Sequence, residues 1–335
     1  MEAAIHIALL ALLAIIALAI IRLRNLFAAV MLAGIYSLLA AALLVALDAV
    51  DVALMEAAVG AGISTVLMLG TLALVGRKEK RPVRQPILPL FVVTVTGAVL
   101  VYGTLDMPLF GSPDNPVHQH VAPRYLEDSV DEIGIPNVVT SVLASYRAYD
   151  TLGETAVIFT AAVGVLLLLS GAPTRHPTAP ASRPPGAAAR VPAPMDDRVI
   201  LRVGAKMLIP FILLFGLYVQ FHGDYGPGGG FQAAVIFAAA FILYALVFGL
   251  DDAKRVLPPS AAYVCSALGV LVFAGVGIVT LAEGANFLEY GALLGDPKDA
   301  QVAGIMLVEF GVLVTVFGVM VSIFYVFAGR RRARS

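Results

Sequence analysis

Three carboxylates interrupt the most apolar runs of this sequence: Glu56 in "VALMEAAVGAGIS", Glu154 in "YDTLGETAV" and Glu309 in "IMLVEFGVLV". An ionisable side chain inside a membrane span costs roughly 2.5–3.5 kcal/mol on insertion scales, so such acids serve ion or proton transfer, or hold helices together. Glu56, Gly60 and Ser64 fall on one helix face at i, i+4 and i+8, a small polar stripe suited to close packing against another helix. Glu56 also lies only about 4–5 Å beyond the start of its run, where an interfacial acid is the simpler reading. Asp150 precedes Glu154 by one turn; carboxylates at that spacing repel and suit proton exchange, while Asp150 can equally cap the helix that follows. Glu309 is the deepest of the three, roughly 10 Å into the last run. The nearest basic residue before it is Lys298, outside the run, so a partner has to come from another helix or another chain.

A second candidate site is the stretch "FHGDYGPGGGFQ", Phe221 to Gln232, between two apolar runs. A phosphate loop would need Gly-Lys-Ser/Thr, and a dinucleotide fingerprint would need a βαβ unit around it. Here Gly230 is followed by Phe231 and Gln232, so neither fits. The run Gly226, Pro227, Gly228, Gly229, Gly230 instead predicts a sharp chain reversal that brings two spans together and admits close approach by a neighbour. His222 opens this loop; it can relay protons or hydrogen-bond the loop carbonyls. His118 and His120 lack a third ligand in the sequence around them, which makes a solvated loop pair the plainer reading. Lys206, near the start of its run, reads as a snorkelling side chain. The single cysteine, Cys265, excludes a disulfide framework, a haem-attachment motif and an iron–sulfur centre on this chain.

The elements that must position these groups are membrane helices. Of the 335 residues 60% are hydrophobic and 13% charged, against roughly half and about a quarter in soluble domains. Runs long enough to cross a bilayer occupy 3–21, 26–47, 53–75, 87–105, 152–170, 203–221, 230–250, 261–281 and 302–328. The expected fold is all-α and polytopic with about nine transmembrane helices, since open strands cannot satisfy their backbone in lipid and no barrel-like alternation is present. The first run lacks a basic region before it and reads as a span rather than a cleaved signal. Nineteen of the 22 Lys and Arg fall on one side of this arrangement, leaving only Arg124, Arg147 and Lys298 on the other. The positive-inside rule then places the N-terminus outside and the C-terminus in the cytoplasm, with an acidic outer face.

Composition divides the chain further. Gly171 to Val199 is rich in Pro and Ala and reads as a cytoplasmic linker. It separates a five-span front from a four-span rear, and the basic "GRKEKRPVRQP" splits the front into three spans and two. The expected modules are 1–80, 81–171, the linker 172–199, and 200–335. In the long outer loop, "IPNVVTSVLASYRAYD" carries Val138, Val139, Val142, Leu143 and Tyr146 in a helical repeat, which predicts a helix along the outer membrane surface.

"HGDYGPGGGFQ" between two spans, with "VEFGV" in the last span, resembles the B-type component of the multisubunit Mrp-type sodium/proton antiporters, although "DYG" lengthens the spacing between His222-Gly223 and Pro227. "DAVDVALMEAAVGAG" resembles the three-span module found at the end of the A-type antiporter component and as the D-type component of membrane-bound hydrogenases. "YRAYDTLGE" resembles the adjoining two-span E-type module. The resemblance implies a membrane subunit of a cation/proton antiporter complex, not an enzyme and without a cofactor, in the plasma membrane. It implies partners that include a large antiporter-like subunit and small C-, D-, E-, F- and G-type subunits, with sodium ions and protons as the transported species and no nucleic acid. By position Glu56 and Glu154 match acids on the ion path of the D-like and E-like modules. The large fourteen-span domain that normally adjoins these modules is missing from the sequence, so transport is expected of a complex and not of this chain alone. An ion-translocating subunit of a hydrogenase or ferredoxin-linked complex is the alternative, and a purely structural scaffold is a third.

Overall fold

The computed structural model describes residues 2–79, 87–170 and 198–332, and every regular element among them is a helix. Nine helices among these residues are long and apolar enough to cross a membrane. They are α1 (Glu2–Arg22), α2 (Leu26–Ala46), α3 (Val50–Met55, continued by Glu56–Ile63 and Ser64–Val75), α4 (Ile87–Thr104), α5 (Ala148–Ser170), α6 (Val199–His222), α7 (Gly230–Phe248), α8 (Pro259–Ala282) and α9 (Pro297–Arg332). All nine coincide with the runs read from hydropathy. The Pro/Ala-rich linker, apart from its last residues, lies outside the described residues.

The middle of α3 departs from expectation. Glu56–Ile63 is wound as a π-helix, in which bonds run i→i+5 and the side-chain register shifts; such segments recur at functional sites. The stripe expected at 56, 60 and 64 therefore holds only in part. A Cβ on Gly60 would lie 2.5 Å from the Glu56 Oε1 and 2.6 Å from the Ser37 hydroxyl of α2, so the glycine leaves room for both. The next buried residue is Ile63 and not Ser64.

Helix α9 is the axis of the structure, with more than half of its spanning window buried. It packs on α8 through small residues: a Cβ on Gly269 would sit 2.2 Å from the Gly311 carbonyl, and one on Gly318 2.6 Å from that of Ala262. Close backbone approach of this kind supplies van der Waals contact where lipid removes the hydrophobic drive between helices. Along its length α9 also meets α7, α5 and the second half of α3, so helices from all three expected modules pack on one another. At the other extreme, α4 buries none of its residues.

The loops gather at two ends. At one end Leu26 donates to the Arg77 carbonyl, Arg202 lies over the Phe248 ring with Lys206 beside it, and the Tyr325 hydroxyl donates to the Ala253 and Leu257 carbonyls. At the other, His6 bonds the Ala46 carbonyl, Ser145 donates to Gln301, Lys298 pairs with Asp131, and the fully buried Tyr290 donates its hydroxyl to the Ala144 carbonyl. The helix expected before α5 is present but short: Val138–Ser141 continues as a π-turn over Val142–Tyr146. Thr140, Ser141 and Ala144 are buried, and Ala144, Ser145 and Thr140 bond residues of the rear half, so this segment is a packed joint between modules.

Candidate functional site

At the end that carries Asp224 and Tyr290, a cavity of about 130 Å³ opens where α3, α5, α9, the Val138–Ser141 turn and the glycine loop meet. Three carboxylates line it, one from each expected module: Asp51, Glu154 and Glu309. Thr151, Thr155 and Gln232 add neutral polar groups. The arrangement offers oxygen ligands, the kind that suits a hard monovalent cation or a migrating proton, within walls that are otherwise apolar.

The glycine loop makes this meeting possible. Gly229 has φ +108°, a conformation that disfavours every side chain, and its amide donates to the Val219 carbonyl to close the loop onto the end of α6. A Cβ on Gly229 would lie 3.0 Å from the Glu309 Oε1. A Cβ on Gly230 would lie only 2.2 Å from the Glu309 carbonyl oxygen, so α7 can begin against α9 only with glycine there.

Asn137 holds the joint together. Its Nδ2 lies 3.2 Å from Asp51 Oδ1 and 3.0 Å from each of the Gly223 and Gly226 carbonyls; its backbone amide donates to the Asp224 carbonyl, and its Oδ1 caps the next turn by accepting from Val139. Thr140 donates a further 2.6 Å bond to the Gly223 carbonyl. One side chain thus ties α3, the Val138–Ser141 turn and the glycine loop. Each buried acceptor deprived of its donor costs about 1–3 kcal/mol. Asn137→Ala is therefore expected to lower the melting temperature of the purified chain by several degrees, while Asn115→Ala, whose one side-chain bond, to the Leu109 carbonyl, is exposed, leaves it near the parent value; thermal unfolding of the two variants checks this.

The remaining sequence candidates are elsewhere. Asp150 does not line the cavity: it is exposed and ion-paired with Arg147 at 2.5 Å, one turn before Glu154, which does line it. Glu56 lies beside Gly60 and Ser37, five residues after Asp51 and outside the cavity lining. His222 stacks on Tyr218 with ring centroids 5.0 Å apart, on an apolar face with Phe221 and Tyr225. A Cβ on Gly226 would lie 3.1 Å from its Nε2, and its carbonyl accepts from Tyr225 and Gly226, which makes His222 a shaping residue of the loop. His118 and His120 are exposed. Asp51 and Asn137 were not anticipated. The Pro136-Asn137 pair before an apolar repeat is an N-cap signal that pointed to Asn137; Asp51, beside Asp48 at the start of a span, looked like an interfacial acid.

The loop between α4 and α5 carries its own polar knot away from the cavity. Glu132 accepts from both Tyr146 and Arg124, and these bonds hold its carboxyl below the usual range. Desolvation, then the Glu132 contact, push the Tyr146 hydroxyl up to about 12.

Comparison with known proteins places these features. Residues 200–322 match a domain family related to the MnhB subunit of the Na+/H+ antiporter, 11–77 match the MbhD family of MBH subunits, and 91–182 match the MbhE family of MBH subunits. The antiporter subunit mnhB2 of Staphylococcus aureus, strains Newman and JH1, is 36% identical over 93 residues, covering 28% of this chain and 65% of the relative. A chain in the solved Mrp complex from Dietzia sp. DQ12-45-1b is similar in structure, with a TM-score of 0.72 and 28% identity, over 96% of this chain and 34% of that one. This chain thus spans just under two thirds of the curated relatives and a third of the Dietzia chain. The fold and these likenesses together describe a polytopic, all-helical membrane protein with D-type, E-type and B-type segments in succession. In chain order the protein thus carries segments similar to MbhD, MbhE and the MnhB subunit of the Na+/H+ antiporter.

Proposed function

We propose that this chain is a membrane subunit of a sodium/proton antiporter complex, and that the cavity between its three modules is a section of the ion path. The observation that carries this reading is the convergence of Asp51, Glu154 and Glu309, one from each module, on a single small cavity. Scattered structural acids would be paired within their own module, as Asp150 is with Arg147. The partners are other antiporter subunits, among them a large antiporter-like one and small C-, D-, E-, F- and G-type ones. The membrane is the plasma membrane, and the chain itself catalyses no reaction. The modules are taken as 1–80, 81–171 and 200–335, joined by a cytoplasmic linker at 172–199. The MbhD and MbhE matches favour a second reading, an ion-translocating subunit of a redox-driven complex; co-purified nickel or iron–sulfur subunits would select it.

Glu154→Gln keeps the shape and much of the hydrogen bonding but cannot change charge. Sodium-driven collapse of a pH gradient in vesicles containing the whole complex, normalised to assembled protein, is expected to fall strongly, with Glu154→Asp retaining part of the rate. An unchanged rate for Glu154→Gln would leave that acid a structural role.

The orientation rests on charge: the end that carries Arg77, Arg202 and Lys254 faces the cytoplasm, and the end that carries the cavity faces outside. In a Cys265→Ser background, single cysteines at Ser112 or Gly295 are expected to be labelled only from outside. Those at Thr174 or Ala187, beyond the described residues, are expected to be labelled only from the cytoplasm. Labelling of position 112 from inside would invert the arrangement.

A further inference from the structure

A second cavity, of about 250 Å³, lies between the outer end of α6 and the face of α9, lined by Gln220, Asp224 and Glu309 beneath an apolar rim that includes Phe221, Met306 and Phe310. Gln220 is nine-tenths buried. Its Nε2 donates to Glu309 Oε2 at 3.3 Å, while its Oε1 is buried with no donor in reach among the described residues. Turning the amide over would give Oε1 a donor only where Glu309 carries a proton, and would leave the NH2 without its acceptor. A buried acceptor without a donor costs about 1–3 kcal/mol and calls for a partner. Two carboxylates beside it point to the sign of that partner's charge.

We propose that this outer cavity is a sodium-binding site, formed by Gln220 Oε1 and the Asp224 and Glu309 carboxylates, from which the cation passes to the inter-module cavity. Oxygen-only ligands of this kind suit a hard cation. The apolar rim lowers the local dielectric and strengthens the attraction. Burial raises the Asp224 carboxyl above its ordinary range, since desolvation disfavours its charged form. Glu309 joins the two cavities: Oε2 takes the Gln220 bond on the outer side, while Oε1 lies against Gly229, which lines the inner one. Asp224 is in turn fixed by its backbone bond from Asn137, so the outer site and the module joint share a support.

The choice of sodium rests on the antiporter reading, whereas occupation of the cavity can be tested without transport. The sequence contains no tryptophan, so Phe310→Trp on the cavity rim gives the purified full chain a single fluorescent reporter. Replacing choline by sodium at constant ionic strength is expected to change its emission saturably, with potassium weaker. Gln220→Leu and Asp224→Asn, each built with the reporter, are expected to weaken the apparent affinity by about tenfold or more, equivalent to about 1.4 kcal/mol. Sodium should also raise the melting temperature of the unsubstituted chain relative to choline, which gives the answer without the reporter. Absence of a sodium effect in both readouts, or an undiminished response in both cavity variants, overturns the proposal. If that result is accompanied by loss of exchange in Glu309→Gln complexes, the antiporter reading survives and only the outer site is wrong. If sodium binds as described and those complexes exchange normally, the site stands and the path does not.

Discussion

Replacing Gly230 with valine is expected to cut the yield of folded chain in the membrane by about tenfold or more, the consequence of a loss of about one to two kcal/mol or greater in a marginally stable protein. The cause is backbone contact, not side-chain packing. Even one carbon on Gly230 would lie 2.2 Å from the Glu309 carbonyl oxygen and 3.2 Å from the Leu313 amide nitrogen. Backbone cannot swing aside as a flexible side chain does, so α7 has to retreat from α9 and open the inter-module cavity. Gly229→Val should do comparable damage for a different reason, since its φ of +108° is barely open to β-branched residues. Gly295→Ala is the control, because nothing lies within 4 Å of a Cβ at that position. Detergent extraction and size-exclusion yield measure the effect, and a normal yield for Gly230→Val would mean that the α7–α9 approach is not needed.

Glu309→Gln is expected to leave assembly near normal while exchange falls by about tenfold or more, equivalent to roughly 1.4 kcal/mol in the barrier of the limiting step. The replacement is nearly isosteric, and its carbonyl can still accept from Gln220. Removing a buried charge does not by itself destabilise the fold. What disappears is the ability of the group between the two cavities to change charge. A scaffold role for Glu309 predicts the reverse pattern, with reduced yield and a normal rate per assembled complex.

These effects could be located because different parts of the structure were legible to different degrees. The nine spans follow from hydropathy, which depends only on local composition. The glycine loop was readable because Gly226 to Gly230 permits conformations that no other sequence does. The cavity was not readable as a whole. Its acids come from three modules, separated by long stretches of sequence and brought together by α9, and no periodic pattern records such distant contacts. Glu154 and Glu309 were found because an acid within an apolar run is anomalous. Asp51 was missed because an acid at a span boundary is not, and Gln220 because a neutral amide in "LYVQFHGD" draws no notice. The π-helical winding of Glu56–Ile63 had no signal either, since a run of Ala and Gly shows no side-chain period to distort. Asp150 stands one turn before Glu154 as the spacing implied, but its carboxyl is exposed, pairs with Arg147 three residues earlier and does not line the cavity.

Whether Glu154 and Glu309 serve one path is tested most directly by a double-substitution cycle. Glu154→Asp and Glu309→Asp each keep a titratable group but displace it, so each single variant should retain a measurable, reduced rate. The rate to measure is sodium-driven collapse of a pH gradient by the assembled complex, for both singles and the double. If the two acids act in series on one route, the double variant should be little slower than the slower single. Rate losses that multiply would show that they act independently, and would contradict a single ion path through the inter-module cavity.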